Sequence, residues 1–344
     1  ILFDRWSTLN LALKEFDIDT CYVLDNKASI IPNDMQDFEN LFADDKWNEV
    51  IFGQLVHNSS GNKMNIVPVN ILPSDSSLAN KQLFYSKSSD KLKTILSKLS
   101  GYLARKRDYL FISSYIPLLT QFKLQLQLNQ FPSLWFSPKI NFSEVDLHER
   151  EWAMDNSDSE DEFIKIACQF IPNHIPIVYL EGYSLLIQYV NKVKWPENPK
   201  AIFTSNAYIG NEVFKAWTAE KTENSVPYII GQHGGHFGMT PFAFFQEHQI
   251  NISDKFLSWG WGSSNSKIKP FYNMKLLNKR LKYNPNGDAL MIELSITRYS
   301  NHLYAAPISS QFLSYLSDQY SFMKALPDTL QQQILVRLDR KDYG

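Results

Sequence analysis

The 344-residue chain carries 34 lysine and arginine residues against 36 aspartate and glutamate, a formal net charge of −2, and 44% hydrophobic residues. That composition supports ordinary buried cores and about two domains, and it excludes a chain drawn to nucleic acid by an overall basic field. The two cysteines, Cys21 and Cys168, lie far apart without CxxC spacing, which excludes a disulfide framework and a cysteine-type zinc site and fits a reducing cytoplasm.

No apolar run approaches the roughly 18 to 20 residues that a membrane span needs. The chain opens at "ILFDRW" and stops at "VRLDRKDYG", just past a strand-like run, and so reads as an excerpt of a longer protein.

In chain order, short β-branched or aromatic runs alternate with helical patterns, which predicts an α/β fold with a largely parallel sheet. "TCYVLD" (20–25) and "EVIFGQLV" (49–56) read as early strands. "KLKTILSKLSGYL" places Leu92, Ile95, Leu96, Leu99 and Leu103 at helical spacing, which predicts an amphipathic helix with this stripe facing the core. "DYLFISSY" (108–115) reads as a strand, "IPLLTQFKLQLQLNQ" as a helix and "SLWFSP" (133–138) as the next strand. The acidic stretch "DNSDSEDE" (155–162) suits a helix start better than a metal site, because carboxylates favour first turns.

Four further strand-like runs follow: "IPIVYLEGY" (175–183), "PKAIFTSNAY" (199–208), "VPYIIGQHGG" (226–235) and "DKFLSWGWG" (254–262). Each ends in small or polar residues. In an open α/β sheet the carboxyl ends of the strands line the ligand crevice, so these ends hold the first candidate site residues. Asn284-Pro285-Asn286-Gly287 is a strong turn signal and divides residues 1–283, an amino-terminal Rossmann-like domain on the acceptor side, from 284–344. The latter reads as the start of a second, truncated domain, with a strand at 288–295, a helix from about Ile308 and a strand at 333–339.

The densest chemical signal is "GQHGGHFG", with four glycines and two histidines in a chain that has 13 Gly and 7 His. The glycines permit positive φ and close approach of a ligand, at Gly234 and Gly235 among others. Gln232 and His233 would stand at the strand tip, where amide and imidazole can meet a phosphate, a carboxylate or a leaving oxygen. The pattern is neither GxGxxG nor GxxxxGK[ST], and His233, His236 and His248 follow no metal-ligand spacing, so no metal or other cofactor is assigned. Ser205 and Asn206 precede a helix beginning near Gly210 to Glu212, a turn that can bind an anion or simply be capped. Glu181, placed at a strand end, can serve as general base or pair with a basic residue. Trp259 and Trp261 suit sugar stacking or packing. Arg298, Tyr299 and Ser300 follow a strand in the second domain, with Arg337 and Arg340 as weaker phosphate-binding candidates.

Taken together, "FDRW", "YLEGY", "IFTSNAY", "NEVFKAWTAEK", "IGQHGGHFG", "LSWGWG", "ITRYS" and "ILVRLDRKDYG" resemble a leptospiral-type family of surface-polysaccharide (O-antigen) biosynthesis transferases. The resemblance covers nearly the whole chain and is densest from Tyr179 to Gly262. It implies a cytoplasmic bacterial glycosyltransferase, peripheral to the inner membrane at most, with a GT-B-like pair of Rossmann-like domains facing a cleft. It further implies a nucleotide-sugar donor, such as a CMP-linked acidic sugar of the Kdo type, a glycan or glycolipid acceptor, and no nucleic acid. In that family an acidic residue often stands at the position of Asn211. If that acid is catalytic, this chain is impaired or an engineered variant. Glu181, Glu212 or the Asn211 position would supply the carboxylate chemistry, and His233 would stabilise the leaving phosphate. A phosphoryl-type transfer using His233, and a non-catalytic sugar-binding or assembly module, stand beside this reading.

Overall fold

A computed structural model describes residues 1–24, 30–59, 64–69, 87–140, 142, 145–155, 159–240, 243–280, 282–294, 299 and 309–338, with the side chains of 87–94 excepted. The described residues form a mixed α/β protein with three parallel sheets. The first unit contains α1 (Leu2–Glu15), β1 (Thr20–Leu24), α2 (Met35–Leu41), α3 (Asp45–Asn58) and β2 (Asn65–Val69). Here β1 pairs with β2, and Trp47, Ile51 and Leu55 of α3 pack with Phe170 into a core of their own.

The sequence reading of 49–56 as a strand is corrected: it is the body of α3. Asp44 caps the helix by accepting from the Trp47 amide at 3.0 Å, and burial at 47, 51 and 55 has the four-residue spacing of a helix face. A short apolar run does not by itself separate the two periods.

The helix expected at 91–103 forms as part of α4 (Lys87–Leu103), but its apolar stripe does not face the core: Ile95, Leu99 and Leu103 are each more than half exposed. The central sheet follows: β3 (Leu110–Ile112), β4 (Ile202–Thr204), β5 (Tyr228–Gly231), β6 (Lys255–Trp259) and β7 (Ile268–Phe271). All pairs are parallel and the strands lie side by side in chain order. Between them run α5 (Leu118–Gln127), α6 (Glu162–His174), α7 (Tyr183–Lys192), the single turn α8 (Ala207–Gly210), α9 (Glu212–Glu223) and α10 (Phe244–Ile252). Alternate strand residues face opposite ways, as the pleat requires. Leu110, Ile202, Ile230 and Phe256 join the large core with α7, α9 and α10, while Phe111 and Phe203 pack with Leu124, Leu128 and Met274 on the other face.

Two further expected strands are absent. Residues 133–138 are irregular because their backbone is bonded by side chains: the Ser133 amide donates to Gln125 Oε1 at 2.6 Å and the Leu134 amide to Ser100 Oγ at 2.9 Å. Residues 175–183 form a 3₁₀ turn, Ile177–Tyr179, leading into α7. The amides of Ile177 and Val178 donate to the carbonyls of Pro32 and Asn33, each at 3.0 Å, so this segment docks on the first unit instead of joining the sheet.

Strand β7, unexpected from the sequence, contains Pro270, which cannot donate to a ladder and accordingly sits on an edge strand. The acidic stretch ends as expected, with Asp161 capping α6 through the amides of Phe163 and Ile164. Past the turn at Asn284, β8 (Ala289–Ile292) pairs in parallel with β9 (Ile334–Arg337), separated in sequence by α11 (Phe312–Ala325) and α12 (Asp328–Gln331). No helix among the described residues is long and apolar enough to cross a membrane.

Candidate functional site

The carboxyl ends of β3, β4 and β5 bring together residues that the sequence scatters. Past β3, Ser113 and Tyr115 have φ of 46° and 57°, a left-handed conformation that costs a bulky side chain energy and marks strand tips under constraint. The Tyr115 hydroxyl accepts from Asn206 Nδ2 at 2.7 Å, past β4. The Tyr115 ring lies 6.4 Å from that of His233, past β5. Lys275 completes the group, with Nζ 4.2 Å from the Tyr115 ring centre. It arrives from the far edge of the sheet on a 3₁₀ turn, Met274–Leu276, whose Met274 is buried against Phe111 and Phe203.

Glycine is required where this strap crosses β5: a Cβ on Gly231 would collide with Met274 and approach Phe203 to 2.9 Å. Gly238, at φ +76, would drive a Cβ to 2.7 Å from the Trp261 ring. A Cβ on Gly234 meets nothing within 4 Å, so the backbone beside His233 borders open space, and Gly235, at φ +77, completes the bend.

His233 is half-buried, and its Nδ1 is sealed from solvent without a hydrogen-bond partner among the described residues. Burial, and next the Lys275 charge, depress its pKa below the ordinary 6.5, opposed by the Ser205 backbone. The ring is therefore held towards its neutral form, able to take up a proton.

The other predicted residues divide differently. Gln232 is buried, and its Oε1 accepts from the Trp259 amide and from Trp261 Nε1, both at 2.9 Å, clamping β5 to β6. Ser205 is fully buried and donates to the Ser114 carbonyl at 2.9 Å. Thr204 Oγ1 takes the Ala207 amide at 3.0 Å and Asn211 Oδ1 takes that of Phe214 at 3.0 Å, so these helix starts are capped from within.

Glu181 is not at a strand tip. It forms a buried, bidentate pair with Arg150 at 2.8 to 3.1 Å, and Arg150 also donates to the carbonyls of Pro172 and Ile175. Glu212 is likewise engaged: its carboxylate accepts from Tyr179 Oη at 3.0 Å, from Lys215 Nζ at 2.8 Å and from the Met35 amide at 3.3 Å. This contact ties α9 to the start of α2. Nearby, burial and next the Glu212 charge push the Asp34 carboxyl up, while amide donors such as that of Asp37 pull it down. Burial and the same charge push the Tyr179 phenol up.

Tyr299 packs on the first unit, with the Arg5 guanidinium 5.3 Å from its ring centre and Phe52 at 6.1 Å. Arg337 ends β9 with an exposed side chain. Arg298, Ser300 and Arg340 lie outside the described residues. Sequence reasoning missed Tyr115 and Lys275. Neither sits in a motif, and the strained φ of Tyr115 has no signature in residue type.

A parallel, Rossmann-like α/β sheet with polar strand ends defines the class of this molecule. The LIC12162 family transferase profile matches residues 1–344, so the chain belongs to that family of transferases. No curated protein and no solved structure matches the chain.

Proposed function

We propose that the chain is a glycosyltransferase that moves a sugar from a nucleotide-activated donor to a growing bacterial surface polysaccharide. The observation that carries this reading is the meeting of His233, Tyr115 and Lys275 at the carboxyl edge of the parallel sheet. A neutral imidazole beside an ammonium group suits a displacement at a phosphate-linked carbon. His233 accepts the proton of the acceptor hydroxyl as its oxygen bonds to the anomeric carbon. The bond from that carbon to the donor phosphate breaks, and the electron pair leaves on a phosphate oxygen beside Lys275. Tyr115, held by Asn206, stands beside the imidazole, with ring centres 6.4 Å apart.

The two-domain GT-B arrangement belongs to the same proposal, with residues 1–283 on the acceptor side and the β8–β9 unit opening the donor side. So do a cytoplasmic location and peripheral contact with the inner membrane. Glu181 and Glu212 serve as structural anchors in it, since each carboxylate is held by partners within the protein.

The test is calorimetric titration of the chain with CMP-, UDP- and GDP-sugars, a CMP-linked acidic sugar of the Kdo type first, followed by transfer assays. Binding of one donor, weakened by Lys275→Met, with transfer lost in His233→Gln, supports the reading. Absence of nucleotide binding, or a phosphorylated His233 in its place, overturns it.

A further inference from the structure

We infer that a lysine-lined groove outside the strand tips binds an anionic saccharide chain and presents its end for transfer. This deepens the glycosyltransferase reading and rests on it. The groove, about 880 Å³, runs between the carboxyl-terminal half of α4, the irregular segment 136–139 and the end of α7. That volume lies in the range of about 300 to 1,000 Å³ typical of ligand sites.

Lys98, Lys139, Lys192 and Lys194 line it, and none of its described lining residues is acidic. In a chain of net charge −2, four lysines around one concavity make a local positive field that the overall composition hides. A lysine at the last turn of α7 also has a structural reason to be there, since helix ends favour cations, and this accounts for Lys192. It does not account for Lys194, beyond that helix, or for Lys98, inside another. Lys98, Lys192 and Lys194 form no ion pair with a carboxylate among the described residues.

Two features point to a sugar chain as the anion. Tyr102, which is 87% exposed, and the half-buried Phe136 and Tyr189 contribute aromatic surface, on which the apolar faces of sugar rings pack. Asn211 stands at the groove as well, and only the four-residue turn α8 separates it from Asn206 at the strand tips. Five residue steps are about 7.5 Å along a helix axis, so the groove ends close to Asn206, whose amide donates to the Tyr115 hydroxyl beside His233.

The experiment titrates the full chain with a tetramer of α2,8-linked sialic acid, with maltotetraose, and with vesicles of phosphatidylglycerol. The sialic acid tetramer is expected to bind with an affinity that added salt weakens, and maltotetraose to bind far more weakly. Lys98→Gln/Lys192→Gln/Lys194→Gln should weaken the acidic tetramer roughly tenfold, as the sum of three solvent-exposed ion pairs, while three arginines at these positions restore it. Equal binding of both tetramers, an unchanged triple variant, or binding of vesicles without the tetramer overturns the inference. The triple variant should keep the nucleotide-sugar affinity that Lys275→Met loses. A chain that binds the acidic tetramer but no nucleotide refutes the strand-tip reading and leaves the groove standing.

Discussion

Lys275 lies over the ring of Tyr115, Nζ 4.2 Å from the ring centre, although the two residues follow opposite edge strands of the central sheet. The strap that brings Lys275 back is anchored by Met274, which is 2% exposed. A cation delivered by a buried anchor to a ring held in a left-handed backbone is a preorganised arrangement. Its energy cost is borne by the fold, so its removal should affect binding more than stability.

Lys275→Met should therefore leave the melting temperature nearly unchanged, since an exposed cation–π contact contributes only about 0.5 to 1 kcal/mol. Nucleotide-sugar affinity should fall roughly 10- to 100-fold, the worth of one hydrogen bond to a charged group. Calorimetry and thermal melts on the same samples separate the two. A large loss of stability with intact binding would make Lys275 a packing residue.

For Glu181 the expectation runs the other way. Its side chain and that of Arg150 are 6% and 1% exposed, and the pair is bidentate. Glu181→Ala strands a buried guanidinium and should destabilise the chain by about 3 to 5 kcal/mol. Glu181→Gln keeps one acceptor and should fall between. Urea unfolding measures both, and an unchanged midpoint in the glutamine variant would return Glu181 to the list of free bases.

His174 contributes to stability against acid. Its Nε2 faces Gln54 Oε1 at 2.6 Å and its ring stacks on Phe170, centroids 5.4 Å apart. Burial, and next the Arg150 charge, lower its pKa from 6.5 to about 4. Between those values the unfolded chain binds a proton that the folded chain refuses. The contribution is thus complete above about pH 6.5 and lost as the pH falls towards 4. At about 1.36 kcal/mol per unit the loss approaches roughly 3 kcal/mol. His174→Gln should flatten the fall in urea midpoint between neutral and mildly acid pH. Parallel curves for the two proteins would remove His174 as the cause.

The sequence made the middle of the molecule readable and left its edges obscure. Strands β4, β5 and β6 are apolar runs that stop at polar or glycine residues, and each appears where that pattern stands. The run at 49–56 has the same composition, yet the Asp44 cap and helical burial decide its form. Strand β7 was hidden by Pro270, which reads as a breaker until the edge position is known. At the site, His233 was visible because its glycines are. Tyr115 and Lys275 were not, because a left-handed tyrosine and a lysine on a crossing strap are properties of the folded path and not of local composition. Glu181 and Glu212 stood open between catalysis and a structural role because their partners Arg150 and Tyr179 lie 31 and 33 residues away.

The sharpest prediction couples His233 to Lys275. Burial is the first cause of the lowered pKa of His233, and the ammonium of Lys275 is the second. If neutral His233 takes the acceptor proton, kcat/KM should drop on the acid side with a limb below 6.5, and His233→Gln should abolish that limb with a loss of about 10² to 10⁴-fold in rate. Removing the neighbouring charge by Lys275→Met relieves part of the depression, so the limb should move up in pH in whatever activity remains. Lys275→Arg keeps the charge and should leave the limb where it was. A lysine that only shapes the site would lower the rate in both variants without moving the limb, and identical pH profiles for the methionine and arginine variants would dissolve the electrostatic link between the two residues.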